Sequence, residues 1–129
     1  MLKLLRKLAV LLPFLAASAL AADSAATVFD AAKFDALNQA GKPILVAIHA
    51  DWCPTCKAQE PLVAALLKAP ELAGITEFRV DFDAQKDAVK RFKTPYQSTL
   101  IVFKGGKEVG RSTGDTRKES IAALLHKAI

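Results

Sequence analysis

Runs of aliphatic residues alternate along the chain with stretches in which apolar residues recur at helical spacing. The clearest aliphatic run is 44–48, ILVAI, which is rich in β-branched residues and follows Gly41 and Pro43, as is typical of a buried strand. From Cys56 onward the apolar spacing becomes helical, and this pattern stops by Pro70. The sequence therefore predicts a buried strand that is followed by a helix.

The same criteria predict elements along the rest of the chain. Asp30, Asp83 and either Asp115 or Thr116 are candidate N-caps of three further helices. The segment 104–107, KGGK, is typical of a hairpin turn. The predicted elements are strand 27–29, helix 30–39, strand 44–48, a helix from 56 that stops by 70, strand 75–82, helix 83–92, strand 100–103, strand 108–113 and a final helix from 115 or 116.

This order of elements predicts an α/β fold in a single domain. Strands that alternate with helices favour parallel crossovers, and the hairpin near the end adds an antiparallel pair. We therefore expect a central mixed β-sheet with helices on both faces.

The N-terminal segment has the three-part layout of a secretory signal peptide. Basic residues, the first of them Lys3, precede an apolar stretch at 8–20, and small residues follow up to Ala21. The apolar stretch is shorter than the roughly 20 residues that a spanning helix needs, which favours cleavage over a membrane anchor. We predict a signal peptide at 1–21 and a mature domain at 22–129, with only transient membrane contact during export.

Removal of this leader changes the charge balance. The full chain has 18 basic and 13 acidic residues and a net charge of +5. Three of the basic residues and none of the acidic ones lie in the leader, so the mature domain has 15 against 13, a net charge of +2. A charge this small, without a basic block that contains aromatic residues, predicts no nucleic-acid partner. We also predict no cofactor.

The two cysteines of the chain, Cys53 and Cys56, are predicted to lie where the strand ends and the helix begins. The first N–H groups of a helix have no intrahelical partner and its dipole is positive there, so a thiolate at Cys53 would be stabilised. We expect the pKa of Cys53 to fall below about 8.5, the usual value for cysteine. Cys56, one turn along, could attack a mixed disulfide on Cys53. The spacing predicts a redox pair in which Cys53 is the nucleophile and Cys56 the resolving cysteine.

Two other interpretations of the cysteines remain open. A structural disulfide between them would close a very short loop and constrain the unfolded chain little. A structural zinc site needs four ligands, and the only other strong candidates are His49 and His126. In an oxidising compartment a redox pair would also need a partner protein that recharges it.

Residues 50–57 read ADWCPTCK, with Pro61 five positions after the second cysteine, and residues 98–106 read STLIVFKGG. Together these segments resemble the thioredoxin superfamily, and the likeness covers essentially the whole mature chain. The resemblance implies a thioredoxin-like fold and an enzyme that performs thiol–disulfide exchange with protein disulfides. It also implies that Trp52 lies at the rim of the site and that Pro54 and Thr55 tune the reduction potential.

The chain departs from the family pattern at three positions. Ser98 stands where the family has a cis-proline, so the Gln97–Ser98 peptide is either trans or cis with strain. Ala47 replaces a buried acid that often accepts the proton of the resolving cysteine. His49 replaces an aromatic residue, and it could accept that proton, help to hold a soft metal, or simply pack. Arg79 is either a cation near the site or a solvated edge residue.

Our sequence interpretation is an exported, monomeric thiol–disulfide oxidoreductase, periplasmic if the source is a Gram-negative bacterium. Its partners would be protein disulfides and dithiols and a recharging protein. Two rival functions remain. One is a copper or iron–sulfur protein that uses Cys53 and Cys56 with His49 or Ser98. The other is a non-catalytic module that binds peptides at Trp52 and the Gln97–Ser98 segment.

Overall fold

The computed structural model describes residues 26–129, and the predicted signal peptide lies outside them. Within this range the elements follow the predicted order. They are β1 Thr27–Val28, α1 Ala31–Gln39, β2 Ile44–His49, α2 Pro54–Leu67, β3 Thr76–Asp81, α3 Lys86–Arg91, β4 Thr99–Lys104, β5 Lys107–Thr113 and α4 Lys118–His126.

The described strands form one sheet in the order β1-β3-β2-β4-β5. β1 and β2 each pair with β3 in parallel, whereas β4 is antiparallel to both β2 and β5. The predicted mixed sheet is therefore confirmed. At the end of β2, His49 is paired with Asp81 and Ile48 with Thr99. The end of β3 and the start of β4 consequently lie beside the end of β2, all at the same end of the sheet.

Helices pack on both faces, as predicted, and each face has its own apolar core. One core is aromatic and is centred on Phe34, whose ring lies 5.1 Å from that of Phe103 and 5.3 Å from that of Phe92, measured between centroids. The other core is aliphatic and joins α2 and α4 to the sheet through residues such as Val63 and Leu125. β2 contributes to both cores, because its successive side chains point to opposite faces.

The predicted N-cap is confirmed for α1 and is wrong for the two later helices. The side chain of Asp30 accepts a hydrogen bond of 2.8 Å from the backbone N–H of Lys33. The caps of α3 and α4 are Gln85 and Arg117, and neither forms a side-chain cap hydrogen bond.

The aspartates near these two helices act in turns that precede them. The Oδ1 atom of Asp81 accepts hydrogen bonds from the N–H groups of Asp83 and Ala84 at 2.9 and 2.8 Å, and the resulting turn delays the start of α3. Asp115 accepts a hydrogen bond of 3.0 Å from the N–H of Arg117 in the same manner. Asp83, Asp115 and Thr116 are therefore not caps. They lie in or beside these turns, and each helix begins only after its turn ends.

The hairpin and the two edges of the sheet complete the fold. Gly105 and Gly106 have φ values of +60° and +82°, which glycine adopts without steric cost, and the predicted turn is confirmed. One edge strand, β1, has only two residues. The other, β5, is largely exposed and includes the charged residues Lys107, Glu108 and Arg111.

Candidate active site

Cys53 and Cys56 lie at the N-terminus of α2, just beyond the end of β2. Cys53 is the N-cap, and its sulfur accepts a hydrogen bond of 3.2 Å from the backbone N–H of Cys56. Pro54 is the first helical residue, a position where its missing N–H costs no intrahelical bond. Thr55 is the second residue of the helix. The helix thus begins at Pro54, two residues before the apolar spacing becomes helical, and it continues through Pro61.

Both cysteines are free thiols, and only 2% of the surface of each is exposed. The hydroxyl oxygen of Ser98 lies between them, 3.0 Å from the sulfur of Cys53 and 3.1 Å from that of Cys56. One serine therefore contacts both sulfurs at once. The predicted pair and Ser98 form a compact cluster.

The pKa values of the two thiols are displaced in opposite directions. Burial acts to raise the pKa of Cys53, but hydrogen bonds from the side chains of Cys56 and Ser98 and from the backbone of Cys56 and Thr55 outweigh it, so the pKa is lowered. Burial is the largest cause that raises the pKa of Cys56, and its hydrogen bond to Cys53 adds to it. Cys53 is therefore the thiol of the pair that loses its proton more readily.

The conformation of Ser98 answers the question that the sequence left open. No peptide bond is cis between residues 26 and 129, and Ser98 adopts a left-handed backbone with φ of +59°. A non-glycine residue in this region is strained unless its surroundings hold it. Its N–H donates to the carbonyl of Ile48 at 2.8 Å, and its own carbonyl accepts from the N–H of Gly114 at 2.9 Å. Ser98 is therefore in a trans peptide, held on both sides by backbone hydrogen bonds.

Gln59 is a site residue that sequence reasoning missed. Its side chain is 4% exposed, and its Nε2 atom donates to the carbonyls of Ser98 at 3.1 Å and of Asp115 at 2.8 Å. These two bonds fix the Ser98 backbone from the side of α2. The available signal was its position three residues after Cys56, which places it on the same face of the helix.

Two exposed aromatic side chains lie close in sequence to residues of the site, Trp52 next to Cys53 and Tyr96 near Ser98. Trp52 is 59% exposed, and its indole N–H donates a hydrogen bond of 2.6 Å to the carboxylate of Asp83. Tyr96, two residues before Ser98, is 64% exposed. The structure thus places Trp52 at the surface, where its orientation is fixed by Asp83.

His49 is buried on the inner side of the cysteine pair but makes its polar contacts with carboxylates. Its Nε2 atom lies 3.0 Å from Asp51 and its Nδ1 atom 3.4 Å from Oε1 of Glu60. The same oxygen lies 2.6 Å from Nη2 of Arg79. A cavity of about 20 Å³ connects this group to Cys56. The structure therefore places both His49 and Arg79 next to the site without a hydrogen bond between His49 and either sulfur.

Two features of the described residues concern the rival metal-binding function and membrane contact. Between residues 26 and 129, no group of three or more His, Cys, Asp or Glu side chains is arranged to hold a metal ion. In the same part of the chain, no helix has the length and apolar character that a membrane span requires.

Comparisons with known proteins agree with this geometry. Residues 25–127 match the thioredoxin family model. Thioredoxin from Chlamydia muridarum is 40% identical over 65% of this chain and 80% of its own length, and the H-type thioredoxin of Fagopyrum esculentum is 33% identical over 74% and 77%. A crystal structure of Trxlp from Edwardsiella tarda EIB202 superposes with a TM-score of 0.76 at 38% identity and covers 78% of this chain and 98% of that one. With a Cys-x-x-Cys pair at the start of α2, the chain belongs to the thioredoxin family and is a thiol–disulfide oxidoreductase.

Proposed function

We propose that Cys53 is the nucleophile and Cys56 the resolving cysteine of an exported oxidoreductase. The observation that carries the two cysteine roles is the hydrogen bonding of Cys53, whose sulfur is contacted by the N–H of Cys56 and the hydroxyl of Ser98. Membership of the family implies protein disulfide substrates and, in general, a reductase that recharges the pair. Trp52 and Tyr96 supply exposed aromatic area for contact with such proteins.

The proposed reaction in the reducing direction has two steps. The thiolate of Cys53 attacks a substrate disulfide, a Cys53–substrate bond forms, and the other substrate sulfur leaves as a thiolate that takes a proton from solvent. Cys56 then loses its proton and attacks the sulfur of Cys53. The Cys53–Cys56 disulfide forms, the second substrate thiolate leaves, and the substrate has gained two electrons.

The order of reactivity tests these roles. When the reduced protein is treated with a limiting amount of iodoacetamide at neutral pH, Cys53 should be alkylated before Cys56, because alkylation follows the thiolate fraction. The rates should differ by roughly tenfold for each pKa unit that separates the thiols. Peptide mapping by mass spectrometry measures the ratio. Faster alkylation of Cys56 would reverse the assignment.

The Ser98 hydroxyl should stabilise the thiolate of Cys53, and its removal should have a measurable effect on the reactivity of Cys53. A hydrogen bond to a charged group is worth about 1.5 kcal/mol or more, so the alkylation rate of Cys53 at neutral pH should fall by roughly tenfold in Ser98→Gly. Glycine adopts a φ of +59° freely, so this variant loses the hydroxyl without added backbone strain.

Ser98→Ala is the matched control, since it also lacks the hydroxyl but retains a Cβ atom in the left-handed region. It should show the same fall in alkylation rate and, in addition, a lower unfolding free energy than Ser98→Gly. If both variants were alkylated at the rate of the parent protein, the hydroxyl would have no part in stabilising the thiolate.

We propose export on the basis of the sequence of residues 1–21 alone, with 22–129 as the mature domain. In a Gram-negative source the protein would then be periplasmic, with transient membrane contact during export, and we expect a monomer. Expression of the full chain in such a host should yield a periplasmic product whose N-terminal sequence begins at Ala22. Recovery of the intact chain from the cytoplasmic fraction would contradict this proposal.

A further inference from the structure

A small cavity lies behind Cys56, between α2 and the sheet. Its volume of about 20 Å³ is enough for one water molecule. Ala47 lines it, and the short side chain of this residue leaves the space open. The other walls include Cys56, Glu60 and Glu77, so a thiol and two acids line the same cavity.

Glu60 has the chemistry and the position to act on the thiol of Cys56. It follows Cys56 by four residues on α2, a spacing that places both side chains on one face of the helix. Its Oε1 atom is buried, and its contacts with Arg79 at 2.6 Å and with His49 at 3.4 Å do not have hydrogen-bond geometry. The oxygen is therefore held by charge but retains its capacity to accept a hydrogen bond.

Ser98 cannot accept the proton of Cys56 during resolution. In the reduced pair its hydroxyl can accept from the thiol of Cys56 while it donates to the thiolate of Cys53. Once Cys53 is bonded to a substrate sulfur, that thiolate no longer exists. A neutral hydroxyl is too weak a base to take up the proton of Cys56. Another acceptor must then face Cys56.

We propose that Glu60 is this acceptor and takes up the proton of Cys56, through one water in the cavity, when Cys56 attacks the mixed disulfide. The proposal rests on the roles of Cys53 and Cys56 given above. The proton leaves the sulfur of Cys56 and ends on the carboxylate of Glu60. Because about a third of the Glu60 side chain is exposed, the proton then passes to solvent. No additional oxidant or reductant is needed.

Position favours Glu60 over Glu77, the other acid that lines the cavity. Arg79 of β3 and His49 of β2 hold the Glu60 carboxylate at the cavity. Glu77, also of β3, pairs with Leu45 in the register, three residues before Ile48, or about 10 Å along the strand at ordinary rise. The sulfur of Cys56 lies 4.0 Å from the carbonyl oxygen of Ile48. The backbone of Glu77 is therefore farther from Cys56 than the backbone of Glu60, which is one helical turn away.

A reaction with Ellman-type aromatic disulfide separates the two chemical steps. Attack by Cys53 releases one coloured aromatic thiolate, and resolution by Cys56 releases a second, so a stopped-flow trace of the reduced protein should show two phases. In Glu60→Gln the first phase should keep its rate, and the second should slow by about tenfold or more at neutral pH. The second-phase rates of the two proteins should converge at alkaline pH, where the thiol ionises without help.

Glu77→Gln is the matched control, because it neutralises the other acid of the same cavity. Its second phase should stay within about twofold of the parent rate, and Glu60→Asp should recover part of the rate lost in Glu60→Gln. An unchanged second phase in Glu60→Gln, slowing that persists at alkaline pH, or slowing in Glu77→Gln alone would each overturn the proposal. A first phase that kept the parent rate in Cys53→Ser would instead refute the assignment of Cys53.

Discussion

Cys53→Ser should reduce protein disulfides no faster than the uncatalysed reaction with the same reductant. The thiolate is the attacking group, and a serine hydroxyl at this position stays protonated at neutral pH and is a far weaker nucleophile. The remaining thiol, Cys56, cannot replace it, because burial raises the pKa of Cys56. The measurement is the rate of insulin disulfide reduction with dithiothreitol present, compared with dithiothreitol alone.

Cys56→Ser provides the matched control. This variant should also lose multiple turnover, but it should retain the first attack and accumulate a stable mixed disulfide with the substrate, which a non-reducing gel and mass spectrometry detect. Cys53→Ser should form no such adduct. Substantial turnover by Cys53→Ser, or an adduct formed through Cys56, would contradict the proposed division of roles.

Phe34→Ala should lower the free energy of unfolding by about 3–5 kcal/mol. Phe34 is 2% exposed, and four other phenylalanine rings surround it with centroids 5.1 to 6.1 Å away. Its removal would lose this apolar burial and leave a space that the surrounding rings can fill only in part. A loss of this size is a large share of the 5–15 kcal/mol that stabilise a typical domain. Urea denaturation of the reduced protein, followed by far-ultraviolet circular dichroism, measures it.

Val28→Ala is a suitable comparison for this change, since Val28 is 72% exposed in the edge strand β1 and its truncation should alter the unfolding free energy by no more than about 0.5 kcal/mol. Phe34 lies in the aromatic core, whereas the cavity behind Cys56 lies on the other face of the sheet. The alkylation order of the cysteines in folded Phe34→Ala should therefore be retained. A loss below 1 kcal/mol would mean that the aromatic cluster repacks around the missing ring.

The elements that the sequence predicts well are those in which a local pattern and the tertiary fold agree. The aliphatic run of β2 becomes the buried central strand of the sheet, and the Gly105–Gly106 turn requires positive φ at both positions. The helix caps were harder, because an aspartate such as Asp83 can cap a helix or bind a group elsewhere in the fold. The role of Asp83 depends on a tertiary contact, since this residue binds the indole of Trp52.

The site could be predicted only as far as its local motif extends. The positions of Cys53 and Cys56 follow from their spacing, but the backbone of Ser98 depends on partners from distant segments, Ile48 and Gln59. Gln59 and Glu60 look like ordinary polar helix residues until the fold brings the sheet against them. Their positions, three and four residues after Cys56, are the one sequence feature that could have drawn attention to them.

The short and charged edge strands have a consequence for a protein that acts on the disulfides of other proteins. An unfolded segment of such a protein can add to the free edge of a sheet and so start an aggregate. β1 offers only two residues to an added strand, and charged side chains of β5, including Lys107 and Arg111, border the opposite edge. The sheet edges of the oxidoreductase therefore offer an extended segment of another protein little backbone on which an aggregate could start.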